Sequence, residues 1–313
     1  MARGPRRKYR VRASDIAARR ALRSALTWLL SPVWRGTAVA NQTRMTRVLR
    51  VAAVGDLHCT VTSEGAFQSL FAKIAESADV LALCGDLTDY GTPDEARVLA
   101  KELAAMKLPK LAVLGNHDFE SGTPGEVVRI LTDSAGVTVM DGTAVEVRGV
   151  GFAGAKGFAG GFGERALQSW GEEPVKAFVR AAVEETLKLE SALARLRTPG
   201  RVAILHYSPI GATVGGEPSE IYPFLGSSRL EEPLNRYRPS VVFHGHAHRG
   251  QPEGATTTGV PVYNVALPLL RRVYPDRPPF RVVEVPVPED AQTGAALARP
   301  AEAAAAPARP VTS

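Results

Sequence analysis

Three stretches decide the fold: RVLRVAAVGDLH at 47–58, VLALCGDLTD at 80–89 and KLAVLGNHD at 110–118. Each starts as a short aliphatic run and ends in glycine followed by an acid or an amide. Apolar runs of this length, closed by glycine, read as strands buried on both faces, expected at 47–54, 79–84 and 110–114. Between them, apolar residues recur at helical spacing over 64–77 and 92–106. The order βαβαβ predicts a parallel sheet. Further strands are expected at about 137–140, 144–153, 201–205, 240–244, 260–266 and 280–286, several joined by turns of antiparallel character, with a charged helix over 172–197. The fold class is therefore α/β: two mixed β-sheets packed as a sandwich and flanked by helices.

Outside this core the chain changes character. Residues 1–50 hold 13 of the 38 Lys and Arg but only one acid, Asp15, so the basic net charge of +6 belongs to the leader and the rest of the chain is acidic. Leu22, Ala25, Leu26, Leu29, Leu30 and Val33 fall at helical spacing near Arg19, Arg20 and Arg23, a pattern that suits an anionic membrane surface. A leader without fixed structure over 1–45 is the preferred reading, because Met45 immediately precedes the first strand. The Ala/Pro-rich residues 288–313 are expected to be disordered, which leaves 46–287 as the folded domain. No stretch reaches the roughly 20 apolar residues that span a bilayer. Two cysteines, Cys59 and Cys84, make no disulfide framework and read as packed thiols of a reducing, cytoplasmic setting. The Gly-rich segment 154–171 matches no nucleotide-binding fingerprint and reads as a flexible connection.

All six histidines, His58, His117, His206, His244, His246 and His248, fall at or just beyond the C-terminal ends of expected strands. Open α/β sheets place their sites at that end. The strand tips carry Asp56 and His58, Asp86 and Asp89, Asn116 and His117, then His206, and finally His246 and His248. In the pairs Asp56/His58 and His246/His248 an extended backbone would point both side chains to one side. Carboxylate, imidazole and one amide oxygen form a mixed N/O donor set suited to manganese, iron or zinc. Seven such donors are too many for one of these ions and suit two, provided one carboxylate bridges. Asp86, on the central strand of the three, is the bridging candidate.

These five motifs, D-x-H, G-D-x-x-D, G-N-H-D, H and G-H-x-H, in this order over residues 48–270, resemble those of the calcineurin-like metallophosphoesterases. The resemblance implies a four-layer αββα fold over 46–287 and hydrolysis of a phosphate ester by attack of a hydroxide bridging two divalent or mixed-valence ions. It makes Asp56, His58, Asp86 and His248 ligands of one metal, and Asp86, Asn116, His206 and His246 ligands of the other. His117 becomes the non-ligating catalytic histidine, oriented by Asp89. His244 has no counterpart among the family's ligands and reads as a packed residue beside the site, while Asp118 reads as a turn cap as readily as a site charge.

Phosphoprotein phosphatases of the same family carry arginine and glutamate where this chain has Tyr90 and Asp118. That difference favours a small phosphate-ester substrate, diester or monoester, over a phosphoprotein. A nuclease is the first alternative, with Arg271, Arg272 and Arg277 as a local basic patch, but the acidic balance of residues 51–313 argues against nucleic acid. A non-catalytic metal-binding scaffold is the second, and the presence of His117 beside a full ligand set argues against it. No protein partner is expected.

Overall fold

The computed structural model describes residues 47–287, together with the backbone of Arg299 and Pro300. One sheet has the order β11-β1-β2-β3-β4 and uses β1 (Arg47–Val54), β2 (Val80–Cys84), β3 (Lys110–Val113), β4 (Val137–Val139) and β11 (Arg281–Val287). Strands β1 to β4 run parallel, and β11 closes the edge antiparallel to β1, pairing Val51 with Val283. The second sheet has the order β12-β5-β6-β7-β8-β10-β9. Its strands are β5 (Thr143–Val147), β6 (Val150–Gly154), β7 (Gly200–Ile204), β8 (Val241–His244), β9 (Glu253–Ala255), β10 (Pro261–Asn264) and the two-residue β12 (Arg299–Pro300).

Side-chain alternation along β1 explains the layering. Ala52 and Val54 face the helices α1 (Gln68–Ser77), α2 (Pro93–Ala104) and α3 (Pro124–Ala135), packing with Phe71, Ile74, Leu99, Leu103 and Leu131. Val51 and Ala53 face the second sheet and meet Phe152, Ile204 and Phe243. The outer face of that sheet, through Ala153, Ala203 and Val242, is covered by Leu189 and Leu193 of α4 (Glu173–Arg195) and Leu234 of α6 (Glu231–Tyr237). Three apolar seams between four layers give the αββα sandwich. Helix α2 is fixed at its start by a capping box: Thr92 accepts from the Glu95 amide and Glu95 accepts from the Thr92 amide.

Several expectations need correction. The run 144–153 is a hairpin rather than one strand, because Arg148 and Gly149 both adopt positive φ and turn β5 into β6. The second sheet is parallel through β6, β7, β8 and β10 and antiparallel at β5/β6 and β9/β10. Helix α3, strand β9 and helix α7 (Leu267–Val273) have no counterpart in the sequence reading, and α1 starts at Gln68 after a turn rather than at 64. Segment 154–171 is a defined wall: Gly160 donates to Pro223, Gly161 to Gly226 and Leu167 to Gly160. The two-residue β12 falls within the stretch expected to lack structure. The rest of that stretch and the leader, including its amphipathic pattern, lie outside the described residues. No helix among the described residues is long and apolar enough to cross a membrane.

Candidate metal centre

Five strand tips, from both sheets, converge at one edge of the sandwich. The chain leaving β1 is stitched to the chain leaving β2, Asp56 amide to Gly85 carbonyl, His58 to Asp86 and Cys59 to Leu87. Gly55 reaches across to the other sheet, donating to Val265, while Gly245 donates to His206. The backbone here is strained rather than extended. Asp56, His58, Asp86 and His246 have φ of 55°, 46°, 47° and 70°, the left-handed region that side chains with a β-carbon rarely adopt. The expectation that the i, i+2 pairs sit on extended backbone is therefore corrected: tight left-handed turns bring Asp56/His58 and His246/His248 inward.

Among the described residues the turns gather three groups of ligand-type atoms, one of them His58, Asp89 and His117, which shares His58 with the first of the other two. Asp56, His58 and His248 place theirs within 4.8 Å of one another, and so do Asp86, His206 and His246. In the first group His248 Nε2 lies 2.9 Å from Asp56 Oδ1 and 3.4 Å from His58 Nε2. In the second, His206 Nε2 lies 3.4 Å from Asp86 Oδ1 and 3.0 Å from Oδ1 of Asn116. Asp86 reaches both groups, with its other oxygen 3.9 Å from His58 Nε2. Asp56 and Asp86 are each 1% exposed, so neither carboxylate is satisfied by bulk water.

Ring tautomers show what the cluster can accept. His206 Nδ1 donates to the Cys84 carbonyl at 3.0 Å, His58 Nδ1 to Asp89 Oδ1 at 3.1 Å and His246 Nε2 to the Phe224 carbonyl at 3.1 Å. Each ring thus spends its N–H on an outward acceptor and keeps a lone pair on the other nitrogen. For His206 that lone pair faces the oxygens of Asn116 and Asp86, an arrangement that repels itself until a cation sits among the donors. The residues fit metal ions of the borderline class.

The electrostatics agree. Burial alone would raise the Asp56 carboxyl, yet the hydrogen bond from His248 and the charges of His206 and His246 hold it below its usual range. Burial is opposed at His248 by Asp56 and Asp86, which raise that ring above the ordinary value. Burial, with His206 nearby, lowers His246 to about 3.

His117 stands beside the first group, its ring 4.6 Å from that of His58. Its amide donates to Asp86 Oδ1 at 2.9 Å. Its Nδ1 donates to the backbone carbonyl of Asp89 at 2.7 Å, whereas the Asp89 carboxylate is 3.9 Å away. The expectation that the Asp89 side chain steadies His117 is revised: the carbonyl holds His117, and the carboxylate holds His58. Asp118 is a turn cap, fully buried, accepting from the amides of Leu87, Thr88 and Gly115 and from the Thr88 hydroxyl. His244 is packed, donating from Nδ1 to the Gly245 carbonyl and bonded through Nε2 to Thr213, and burial lowers it to about 4, which keeps it neutral. Of the basic patch, Arg272 donates to the His248 carbonyl at 2.8 Å and so fastens that loop. Cys59 and Cys84 are free and buried, and burial pushes the Cys59 thiol up to about 12.

Lys156, just beyond β6, escaped the sequence reading because it matches no ligand pattern. Its carbonyl accepts from the His206 and Tyr207 amides. Its Nζ lies 5.7, 5.0 and 5.1 Å from the ring centroids of Phe119, Phe158 and Tyr207. The discoverable signal was a lone lysine at the tip of a strand that neighbours the His206 strand.

The sequence matches the calcineurin-like phosphoesterase family over residues 49–250. The chain belongs to that family, and with it to the metal-dependent hydrolases of phosphate esters. Among solved structures it resembles the phosphopantetheinyl hydrolase of Mycobacterium tuberculosis at 17% identity and a TM-score of 0.56, covering 74% of this chain and 95% of the other. At that identity the likeness concerns the fold. The protein TT1561 of Thermus thermophilus matches at 17% identity and a TM-score of 0.46, over 76% of this chain and 99% of the other. A putative 5'-nucleotidase from Staphylococcus aureus matches at 16% identity and a TM-score of 0.42, over 70% and 48%. No curated protein matches the chain.

Proposed function

We propose that this member of the calcineurin-like phosphoesterases hydrolyses a small phosphate ester at a centre for two metal ions, drawn from manganese, iron and zinc. The observation that supports it best is the presence of two separate groups with no shared residue, Asp56/His58/His248 and Asp86/His206/His246, with Asp86 reaching both and Asn116 beside His206. Bound there, the ions would supply Lewis acidity, activating water and drawing charge from the phosphoryl oxygens. The chain's own residues do the rest. Asp56, His58 and His248 would hold one ion and Asn116, His206 and His246 the other, with Asp86 placed to serve both. Cys84, Asp89 and Phe224 fix the ring orientations of His206, His58 and His246 from behind.

His117 is the proton donor. With Nδ1–H held by the Asp89 carbonyl, its Nε2 carries the mobile proton toward the departing oxygen. Burial works against protonation, but the Asp89 carbonyl and the charges of Asp86, Glu120 and Asp89 raise His117 above the ordinary histidine value. A reducing, cytoplasmic setting accords with the two buried free thiols.

The test is a panel assay of the manganese-loaded protein on bis(4-nitrophenyl) phosphate, 4-nitrophenyl phosphate, cyclic nucleotides and single-stranded DNA. Turnover of a small ester that is abolished by chelation and restored by metal is expected. Metal binding without turnover of any ester would leave the scaffold reading, and preference for DNA would make the protein a nuclease.

A further inference from the structure

A cavity of about 630 Å³ opens beside the metal centre, between segment 160–167, the first turns of α4 and the short helix α5 (Tyr222–Leu225). Its walls are aromatic and aliphatic: Phe162, Leu167, Val175, Phe178, Tyr222 and Phe224. Among the described residues Arg165 is its only charged lining group. Phe224 belongs to both places. Its ring lines the cavity and is 58% exposed, while its carbonyl accepts from His246 Nε2 at 3.1 Å.

A second route of contact runs through rings. Tyr207 lies 4.5 Å from His246 between centroids, Phe158 lies 5.8 Å from Tyr207, Phe178 lies 5.1 Å from Phe158, and Phe224 lies 6.4 Å from Phe178. The Lys156 ammonium sits over Phe158 and Tyr207, at the junction of the acidic, imidazole-rich centre and the apolar cavity. A ligand spanning the two would carry its phosphate on the Lys156 side and an apolar body at the other end.

We propose that this cavity receives the alkyl chain of the substrate, so that the enzyme acts on phosphate esters of long-chain, apolar alcohols. The inference rests on the phosphoesterase reading of the adjacent centre. The exposed Phe224 ring and the half-buried Phe162, Phe178 and Tyr222 beside it lose water contact when an alkyl chain enters. Among the described lining residues only Arg165, Ser219 and Tyr222 carry polar side-chain groups, so apolar surface dominates the walls.

The experiment is calorimetric titration of the manganese-loaded protein with n-alkylphosphonates, methyl to octyl, whose C–P bond resists hydrolysis. Affinity is expected to rise about three- to fourfold for each added methylene that enters the cavity, the range set by full burial of a CH₂ group. Val175→Glu, with metal content and melting temperature matched to the parent, should flatten that dependence. Leu167→Glu, on a different wall, should do the same. Affinity independent of chain length in the parent, or an undiminished slope in both variants, overturns the proposal. Hydrolysis of methyl 4-nitrophenyl phosphate is followed in parallel. Turnover without chain-length dependence removes the cavity assignment alone, whereas chain-length-dependent binding without turnover supports the cavity and removes the phosphoesterase reading.

Discussion

A β-carbon on Gly245 would lie 2.1 Å from Oδ2 of Asp56. The close approach lets the His246 amide donate to both oxygens of that carboxylate, at 2.9 and 3.0 Å. Gly115 stands in the same relation to Asp86, where the added atom would again lie 2.1 Å from a carboxylate oxygen. Gly245→Ala should therefore displace Asp56 and weaken metal binding about 10–100-fold, the range for disturbing groups that orient ligands. Competition with a chelator measures it. Parent-like affinity would mean that the loop shifts at no cost to Asp56.

Asp86 is proposed to serve both metal positions and His248 and His206 one each. Asp86→Asn should then empty both, while His248→Ala and His206→Ala each lower occupancy mainly at one. Metal analysis of the three purified proteins distinguishes these outcomes. Equal loss in all three would argue against a bridging Asp86, or show that the positions fill only together.

Asp89 separates two readings of one residue. Its carboxylate faces His58, and its carbonyl, which no substitution removes, faces His117. Asp89→Asn should thus weaken metal retention through a less firmly oriented His58. By removing one of the charges that raise His117, it should also move the pH profile of turnover slightly down, with the leaving-group dependence on the acid side unchanged once metal is restored in excess. A change in that dependence at full metal content would return the carboxylate to His117.

The pH dependence of metal uptake follows from His248 and Asp56. Burial opposes protonation of His248, but Asp56 wins and raises it, so its contribution to metal-free stability is complete below about 6.5 and fades as pH rises through the raised value. Asp56 is lowered, and its contribution is present above about 3.9 and lost only as pH falls through the depressed value. His246, at about 3, is already neutral. Protons therefore compete with metal at His248. The melting-temperature gap between manganese-loaded and chelated protein should widen from about pH 5.5 to about pH 8. A constant gap would rule out that competition.

How much of this was legible in the sequence depends on how local each signal is. The runs at 47–54, 79–84 and 110–114 announce strands because burial on both faces leaves an unbroken apolar string, and β1, β2 and β3 lie where that string places them. The hairpin at Arg148–Gly149 was hidden because its turn lacks the usual Asn-Gly pair, so 144–153 looked like one strand. The strand-tip residues could be gathered by topology alone. Their left-handed backbone could not, since Asp56, His58, Asp86 and His246 adopt it under tertiary constraint against local preference. The split role of Asp89 was beyond reach for a related reason: sequence names a side chain and says nothing of which carbonyl a ring will find. Lys156 and the aromatic wall behind it depend on contacts between segments far apart in the chain.

His117 gives the sharpest test of the chemistry. It is proposed to donate a proton, not to bind metal, so His117→Ala should keep both metals. The proton matters where the departing oxygen is a poor anion. An alkoxide has a high pKa and must be neutralised as the bond to phosphorus breaks, so turnover of an alkyl ester should fall toward the upper part of the roughly 10²–10⁴-fold range for general acids. A nitrophenolate leaves unaided, and its ester should suffer far less in the same variant at equal metal content. The parent ring is raised above the ordinary histidine value despite burial, because the Asp89 carbonyl and the nearby carboxylates favour its charged form. Turnover of the alkyl ester should accordingly decline as pH rises through that value, in the parent but not in the variant. Equal slowing on both esters would make His117 a phosphoryl-binding group, and loss of metal would make it a ligand.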